Sequence, residues 1–291
     1  MRYRFVERYK KAWPVVLMCK ILKLSVSAYY AWRKRPESVR KRENESLMPT
    51  VQSIHIQSRQ SYGTRRMAKE LRKLGYDCRR CRARTLMRLA NVRVRTKKRF
   101  VNTTDSKHTM PVAENLLDRK FDVSQPNRYW VSDITYIWTA TGWLYLATVM
   151  DLYSRRIIGW SMDTSMTRQL VIDALLMAVW RRKPDKGLIH HSDRGSQYCS
   201  DDFQSLLKQH DIICSMSRKG NCWDNAVMER FYRSLKSEQV CYADYQTPDE
   251  ARKDIVDYIE MFYNSCRAHS YLGYLSPNEH ESVQKTLPQA A

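Results

Sequence analysis

Apolar positions along this 291-residue chain change rhythm as the sequence proceeds. Two short helical bursts open it, Val15 to Leu22 and Ala28 to Arg33, with Ser27 placed to cap the second by accepting from free first-turn amides. The pair has the size of a helix-turn-helix. Charge and Pro36 mark Arg33 to Glu45 as a hinge or the exposed start of another helix. A second pair follows: Thr64 to Leu74, stopped by Gly75, then Arg79 to Ala90. In the latter, Ala83, Leu86, Met87 and Ala90 recur at i, i+3, i+4, i+7, while Arg80, Arg84 and Arg88 recur at i, i+4, i+8. One stripe packs; the other is left to face phosphates.

From about Leu116 the pattern shortens to strands. Arg128 to Trp138, Trp143 to Leu152 and Arg155 to Met162 are aromatic and β-branched runs joined by short turn signals, which predicts three consecutive antiparallel strands. Arg168 to Trp180 has helical spacing, Lys186 to Ser192 carries the apolar core of a buried strand, Asp202 to His210 reads as a helix and Ile212 to Met216 as a strand. Ala226 to Glu238 is a helix, and Thr247-Pro248-Asp249-Glu250 opens another with a capping box. The order β-β-β-α-β-α-β-α predicts an α/β mixed sheet with flanking helices, preceded by all-α units.

Charge sharpens this division. The net charge is +21, yet residues 1–100 hold 29 Lys and Arg against 6 Asp and Glu, whereas residues 101–291 hold 22 against 24. A polyanion-binding region is therefore joined to a nearly neutral one. The expected organisation is a helix-turn-helix-like unit at 1–45, a basic helical DNA-binding domain at 46–95, a linker at 96–120 and a larger domain at 121–285. An apolar content of 43% suits packed cores, but the longest apolar stretch, near Trp143 to Met150, is about eight residues where a membrane helix needs roughly twenty. Eight scattered cysteines without an export signal predict reduced thiols and a cytoplasmic location.

Three acids stand in unusual settings. Asp133 is mid-strand, Asp193 follows an apolar strand into the turn-rich Asp193-Arg194-Gly195-Ser196-Gln197-Tyr198, and Glu229 shares a polar helix face with Arg233 and Lys236. Singly, each reads more readily as a paired surface or edge residue. Together, with 35 residues between Asp193 and Glu229, they form a pattern.

The segments Trp130-Val131-Ser132-Asp133-Ile134-Thr135-Tyr136, His190-His191-Ser192-Asp193-Arg194-Gly195-Ser196-Gln197-Tyr198 and Asp224 to Glu238 resemble the OrfB-type DDE transposases of the insertion-sequence IS-three family, which share the retroviral-integrase-like core. The likeness extends through Tyr263-Asn264, Arg267, His269, Leu272-Gly273 and Ser276-Pro277, and upstream through Tyr62-Gly63, Arg65-Arg66 and Arg84 to Arg88. It implies a ribonuclease-H-like fold and a DNA transposase that cleaves element ends and transfers strands. The resemblance assigns catalysis and metal binding to Asp133, Asp193 and Glu229, with two Mg²⁺ or Mn²⁺ ions. DNA contacts would fall on Arg65, Arg66, Arg80, Arg84, Arg88, Arg233 and Lys236. Implied partners are terminal inverted repeats and target DNA, an OrfA-type protein or frameshift fusion, and further copies of the chain on DNA. The alternatives are a catalytically silent DNA-binding regulator and an integrase acting on other ends.

Several features compete with this assignment. Cys78 and Cys81 lack two further ligands for zinc, and Cys81 reads as a small buried residue beside the Ala83 to Ala90 face. His191 is expected to shape the site while its neighbour His190 packs on the opposite face. Asp151 and Asp224 are the nearest impostors, expected in a strand-end role and beside a helix entry. Trp13, Tyr29, Tyr30 and Trp32 are expected in the core of the first helices. Where the family usually has glycine, Lys23 occupies the first helix-helix turn.

Overall fold

The computed structural model describes residues 2–95, 113–218 and 222–286. The chain divides into two units, Met1–Thr50 and Val51–Ala291. In the first, α1 (Arg2–Tyr9), α2 (Val15–Ile21), α3 (Val26–Lys34) and α4 (Val39–Ser46) follow one another. Val6, Met18, Cys19 and Tyr29 form a small core with Trp32 against it, whereas Trp13 and Tyr30 are exposed. Only half of the aromatic expectation therefore holds. The cap of α3 is Ser25, which accepts from Ala28 N at 3.3 Å, and Ser27 instead bonds Ser25. The helix starts two residues earlier than its apolar pattern suggests, which moves the cap with it. The turn between α2 and α3 bends the chain by 114° and is made despite the missing glycine: Lys23 adopts φ 51°, and Leu24 N reaches Cys19 O at 2.8 Å.

The second unit begins within α5 (Met48–Gln57) and continues with α6 (Thr64–Lys73) and α7 (Arg80–Leu89). Gly75, φ 88°, closes α6 with the same motif that Lys23 supplies to α2. Along α7 the two stripes separate as the pattern requires, with Ala83, Leu86 and Met87 buried and Arg80, Arg84 and Arg88 exposed. The burial expected of Cys81 does not hold: Cys81 is exposed, and Cys78 is the buried one. Cys81 stands on the arginine side of the helix, while Cys78 tucks in just before its first turn. Of the expected linker, residues 96–112 lie outside the described residues. From 113 the chain is packed: Leu117 is fully buried, and Met216 N donates to Glu114 O.

The sheet contains β1 (Tyr129–Thr139), β2 (Gly142–Asp151), β3 (Arg156–Asp163), β4 (Ile189–Ser192) and β5 (Ile213–Met216) in the order β3-β2-β1-β4-β5. The first three strands are antiparallel, and β4 and β5 run parallel to β1. This is the mixed sheet expected from element order. On one face α8 (Arg168–Arg182), α9 (Ser196–Cys199) and α10 (Asp201–Gln209) bury Trp130, Val149, Ile158, Leu175 and Phe203. Gly159 is required there, because a Cβ would meet Ala174 O at 2.1 Å. The last helices are α11 (Ala226–Glu238), α12 (Pro248–Asp257) and α13 (Pro277–Thr286). Thr247 caps α12 by accepting from Glu250 N at 3.3 Å. No single helix among the described residues is long and apolar enough to cross a membrane.

Candidate active site

The parallel register determines where the first two acids meet. Val131 pairs with His191, so Asp133 on β1 and Asp193 just past the end of β4 each stand two residues beyond that pair. Strand β4 ends at Ser192, which leaves the β1 edge open beside Asp193. Asp193 then turns the chain, with its Oδ1 accepting from Gly195 N at 2.9 Å. Asp133 Oδ1 accepts from Ile134 N at 2.8 Å. Burial pushes the Asp133 carboxyl well above the usual range, Asp193 and Glu229 push it further, and Lys236 opposes them. These four side chains therefore share one electrostatic neighbourhood.

Helix α11 is fastened to that neighbourhood through Tyr232. Its buried hydroxyl donates to the Asp133 carbonyl and bonds Thr148 Oγ1 at 2.8 Å. Glu229 lies one turn earlier and is exposed; partial burial raises its pKa and Arg233 opposes the rise. Lys236 Nζ lies 4.7 Å from the Tyr136 ring centroid, with burial lowering its pKa against the pull of Asp133. Arg233 is exposed.

Among the described residues, no group of three or more His, Cys, Asp or Glu side chains forms a ready metal-ligand set. The structure pairs Asp133 with Asp193 and holds Glu229 within range of their field, without drawing all three into one coordination sphere. The chemistry of the donors suits a hard divalent cation: they are carboxylate oxygens, and burial first, then repulsion from Asp193 and Glu229, keeps Asp133 inclined to hold a proton. Tyr198 adds a further observation. Fully buried, it has a hydroxyl without a hydrogen-bond partner among the described residues, and Asp133 and Asp193 oppose its ionisation. An oxygen ligand or water entering the pair would find a donor there. Sequence reasoning gave Tyr198 and Tyr232 no role of their own, although both lie inside the segments that carry the family resemblance.

His191 takes a different position from the one expected. Its Nδ1 is 2.9 Å from Ser215 Oγ and its Nε2 3.1 Å from Ser217 Oγ, so both ring nitrogens are engaged away from Asp193. It shapes the neighbouring Asp224 network instead; burial pushes its pKa down to about 4 although Asp224 pulls the other way. His190 packs as expected against Tyr198 and Phe203, and it also bonds Ser132 Oγ at 2.7 Å. Asp224 is fully buried at the entry to α11, where it accepts from Asn115, Arg119 and Arg218. Burial works against its charge, but the Arg218 and Arg119 hydrogen bonds hold its carboxyl well below the usual range. Asp151 accepts from Asn127 N and Tyr153 N, the strand-end role expected of it.

The cations expected on DNA separate into two groups. Arg65, Arg80, Arg84 and Arg88 are exposed. Arg66 turns inward, with its guanidinium 3.8 Å from Glu238 and over the Tyr62 ring. Glu238 is also held by Arg267 at 2.6 Å, so Arg66 belongs to an internal ion network that local sequence cannot reveal.

Comparison with known proteins falls on the same segments. Family models described as "Integrase core domain" match residues 123–222 and 229–286, and one described as "HTH-like domain" matches residues 41–100. The first contains Asp133 and Asp193; the second begins at Glu229. The chain is 44% identical over 260 residues to the insertion element IS600 uncharacterized 31 kDa protein of Shigella sonnei, covering 89% of this chain and 96% of that protein. It is 41% identical over 284 residues to the transposase InsF for insertion sequence IS3A of Escherichia coli K12, covering 97% and 99%. A chain in the cryo-electron microscopy structure of a simian T-cell lymphotropic virus intasome with PP2A regulatory subunit B56 gamma matches at 16% identity and TM-score 0.48, covering 77% and 72%. Identity sustained over nearly the whole length of InsF places this chain in the transposase family of the IS3-type insertion sequences.

Proposed function

We propose that Asp133, Asp193 and Glu229 form the catalytic centre of a DNA transposase that cleaves the ends of its element and then joins the freed 3′-OH to a second phosphate. Family membership implies polynucleotidyl transfer and DNA binding; the residue assignment is our reading. The observation that supports it best is the β1–β4 register, which places two carboxylates side by side at an open strand edge. Two Mg²⁺ or Mn²⁺ ions, when bound, would neutralise these acids, activate the attacking oxygen and stabilise the leaving 3′-oxygen during in-line displacement.

The chain's own residues prepare that chemistry. Backbone amides of Ile134 and Gly195 fix one oxygen each of Asp133 and Asp193. Tyr232 ties α11 to β1 one turn after Glu229, which keeps the start of that helix beside the pair. Lys236 brings positive charge to the place where a DNA backbone must enter. No protein nucleophile is needed, since water and then a 3′-OH attack in turn. Two ends must meet for joining, which calls for more than one copy on DNA; the family resemblance adds an OrfA-type partner or fusion.

The test is substitution of each acid, Asp133→Asn, Asp193→Asn and Glu229→Gln, with strand transfer and DNA binding measured in Mg²⁺. Each is expected to lose at least about a thousandfold in transfer, because none of the three substitutes for another. Binding of end DNA is expected to persist. Retained transfer in any one variant refutes its assignment.

A further inference from the structure

The hairpin joining β1 to β2 carries an apolar surface that the fold does not use. Trp138 and Trp143, cross-strand partners at its tip, are 59% and 44% exposed. Their rings meet edge to face at 4.8 Å, and Trp143 meets Tyr136 in the same manner at 5.1 Å. Lys236 Nζ sits over Tyr136 and lies within the electrostatic reach of Asp133. By strand alternation these rings stand on the sheet face opposite the Asp133 side chain, and Lys236, near both, is what connects the aromatic line to the candidate active site. The tip is also braced: Ala140 N donates to Tyr245 O at 2.9 Å, and Thr139 Oγ1 donates to Gly142 O at 2.7 Å. Little ordering remains to be done when something stacks on it.

We propose that Tyr136, Trp138 and Trp143 form a stacking platform for unpaired nucleobases of the DNA strand whose phosphodiester lies at Asp133 and Asp193. This rests on the active-site assignment above. Every base offers a π-face, so such a platform is indifferent to sequence, and the neighbouring lysine neutralises the backbone that accompanies the bases. Geometry sets the reach. Trp138 is five residues beyond Asp133, about 17 Å at roughly 3.3 Å per strand residue. With stacked bases about 3.4 Å apart along a strand, the tip meets a base about five nucleotides from the reacting phosphate. An end must therefore be opened over that length, and the platform holds it open.

The test uses the full chain in EDTA, so that binding is read without cleavage. Fluorescence anisotropy compares a blunt duplex with duplexes carrying a five-nucleotide 3′ or 5′ dT overhang. The chain is expected to prefer at least one overhang by about tenfold, the scale of one stacked base. Trp138→Leu/Trp143→Leu, which keeps bulk but removes the π-faces, is expected to lose that preference while binding blunt DNA within about twofold of the parent. Trp138→Phe/Trp143→Phe is expected to retain it, which separates stacking from a folding defect. Equal affinity of the parent for all three probes overturns the proposal, as does a Leu variant with the preference intact. Dissociation of a DNA-free oligomer by the Leu variant in sedimentation would assign the tip to a second copy instead and also overturn it. The active-site assignment is judged separately: loss of overhang preference leaves the strand-transfer result of Asp133→Asn untouched, and the reverse.

Discussion

Lys23 shows how a local departure is absorbed. An L-residue in the left-handed region pays for its Cβ, yet the hydrogen bonds that close α2 form in full around φ 51°. Lys23→Gly removes a steric cost of roughly 1–2 kcal/mol, and the added freedom of the unfolded chain offsets part of that, so the Met1–Thr50 unit is expected to gain about 0.5–1 kcal/mol net. Thermal unfolding of the full chain, followed at the Trp13 and Trp32 fluorescence of that unit together with the other tryptophans, checks this; a lower first transition contradicts it. Residue identity alone went furthest at Asp133, where a carboxylate amid an apolar strand stands out. It failed at Cys81, although helical spacing already set that residue apart from the Ala83, Leu86, Met87 stripe. It failed also at Arg66, because its partner Glu238 is 172 positions away in the chain and only the fold brings them together.

Among the elements, β4 is short and carries two buried histidines. Burial pushes His190 down to about 3 and His191 to about 4, from an ordinary value of 6.5. Both are neutral in the folded chain, so the unfolded state takes up more protons between pH 6.5 and 4 and stability falls as the pH drops through that window. For His191 alone the full shift corresponds to roughly 3 kcal/mol. Asp151, raised to about 6 by burial, acts with opposite sign below pH 6 and offsets part of the loss. Urea midpoints of the wild-type chain are expected to decline from pH 7 to pH 4, and His191→Gln to flatten the slope; a pH-independent midpoint would contradict this. The strands themselves were legible almost to the residue, since alternating β-branched and aromatic runs leave few alternatives. The parallel pairing of β1 with β4 was legible only as a class of topology, and its register came from the fold. Nothing local announced the π-helical turn Tyr258–Asn264, whose Asn264 bonds both backbone groups of Ile157 and so covers the edge strand β3.

For the whole molecule, the division of charge is the clearest statement the sequence makes, and the exposed Arg80, Arg84 and Arg88 row gives it a physical surface. Binding to end DNA is expected to weaken steeply with salt. Replacing all three arginines by Ala is expected to reduce the slope of log K against log salt by about three, one for each phosphate left unneutralised. An unchanged slope would remove α7 as an anchor. The domain plan was less legible. Residues from Val51 onward pack as one unit with the sheet, through hydrogen bonds such as those of Tyr62 with Cys266 O and Ala268 N, which no composition boundary reveals. The account depends most on three distant carboxylates acting as ligands of the same ions, and a change of metal preference tests that most directly. Each acid is replaced in turn by cysteine, a softer ligand, and strand transfer is compared in Mg²⁺ and Mn²⁺. The expected result is that Asp133→Cys, Asp193→Cys and Glu229→Cys are each inactive in Mg²⁺ and partly restored by Mn²⁺; undiminished Mg²⁺ activity in any of the three would contradict the claim.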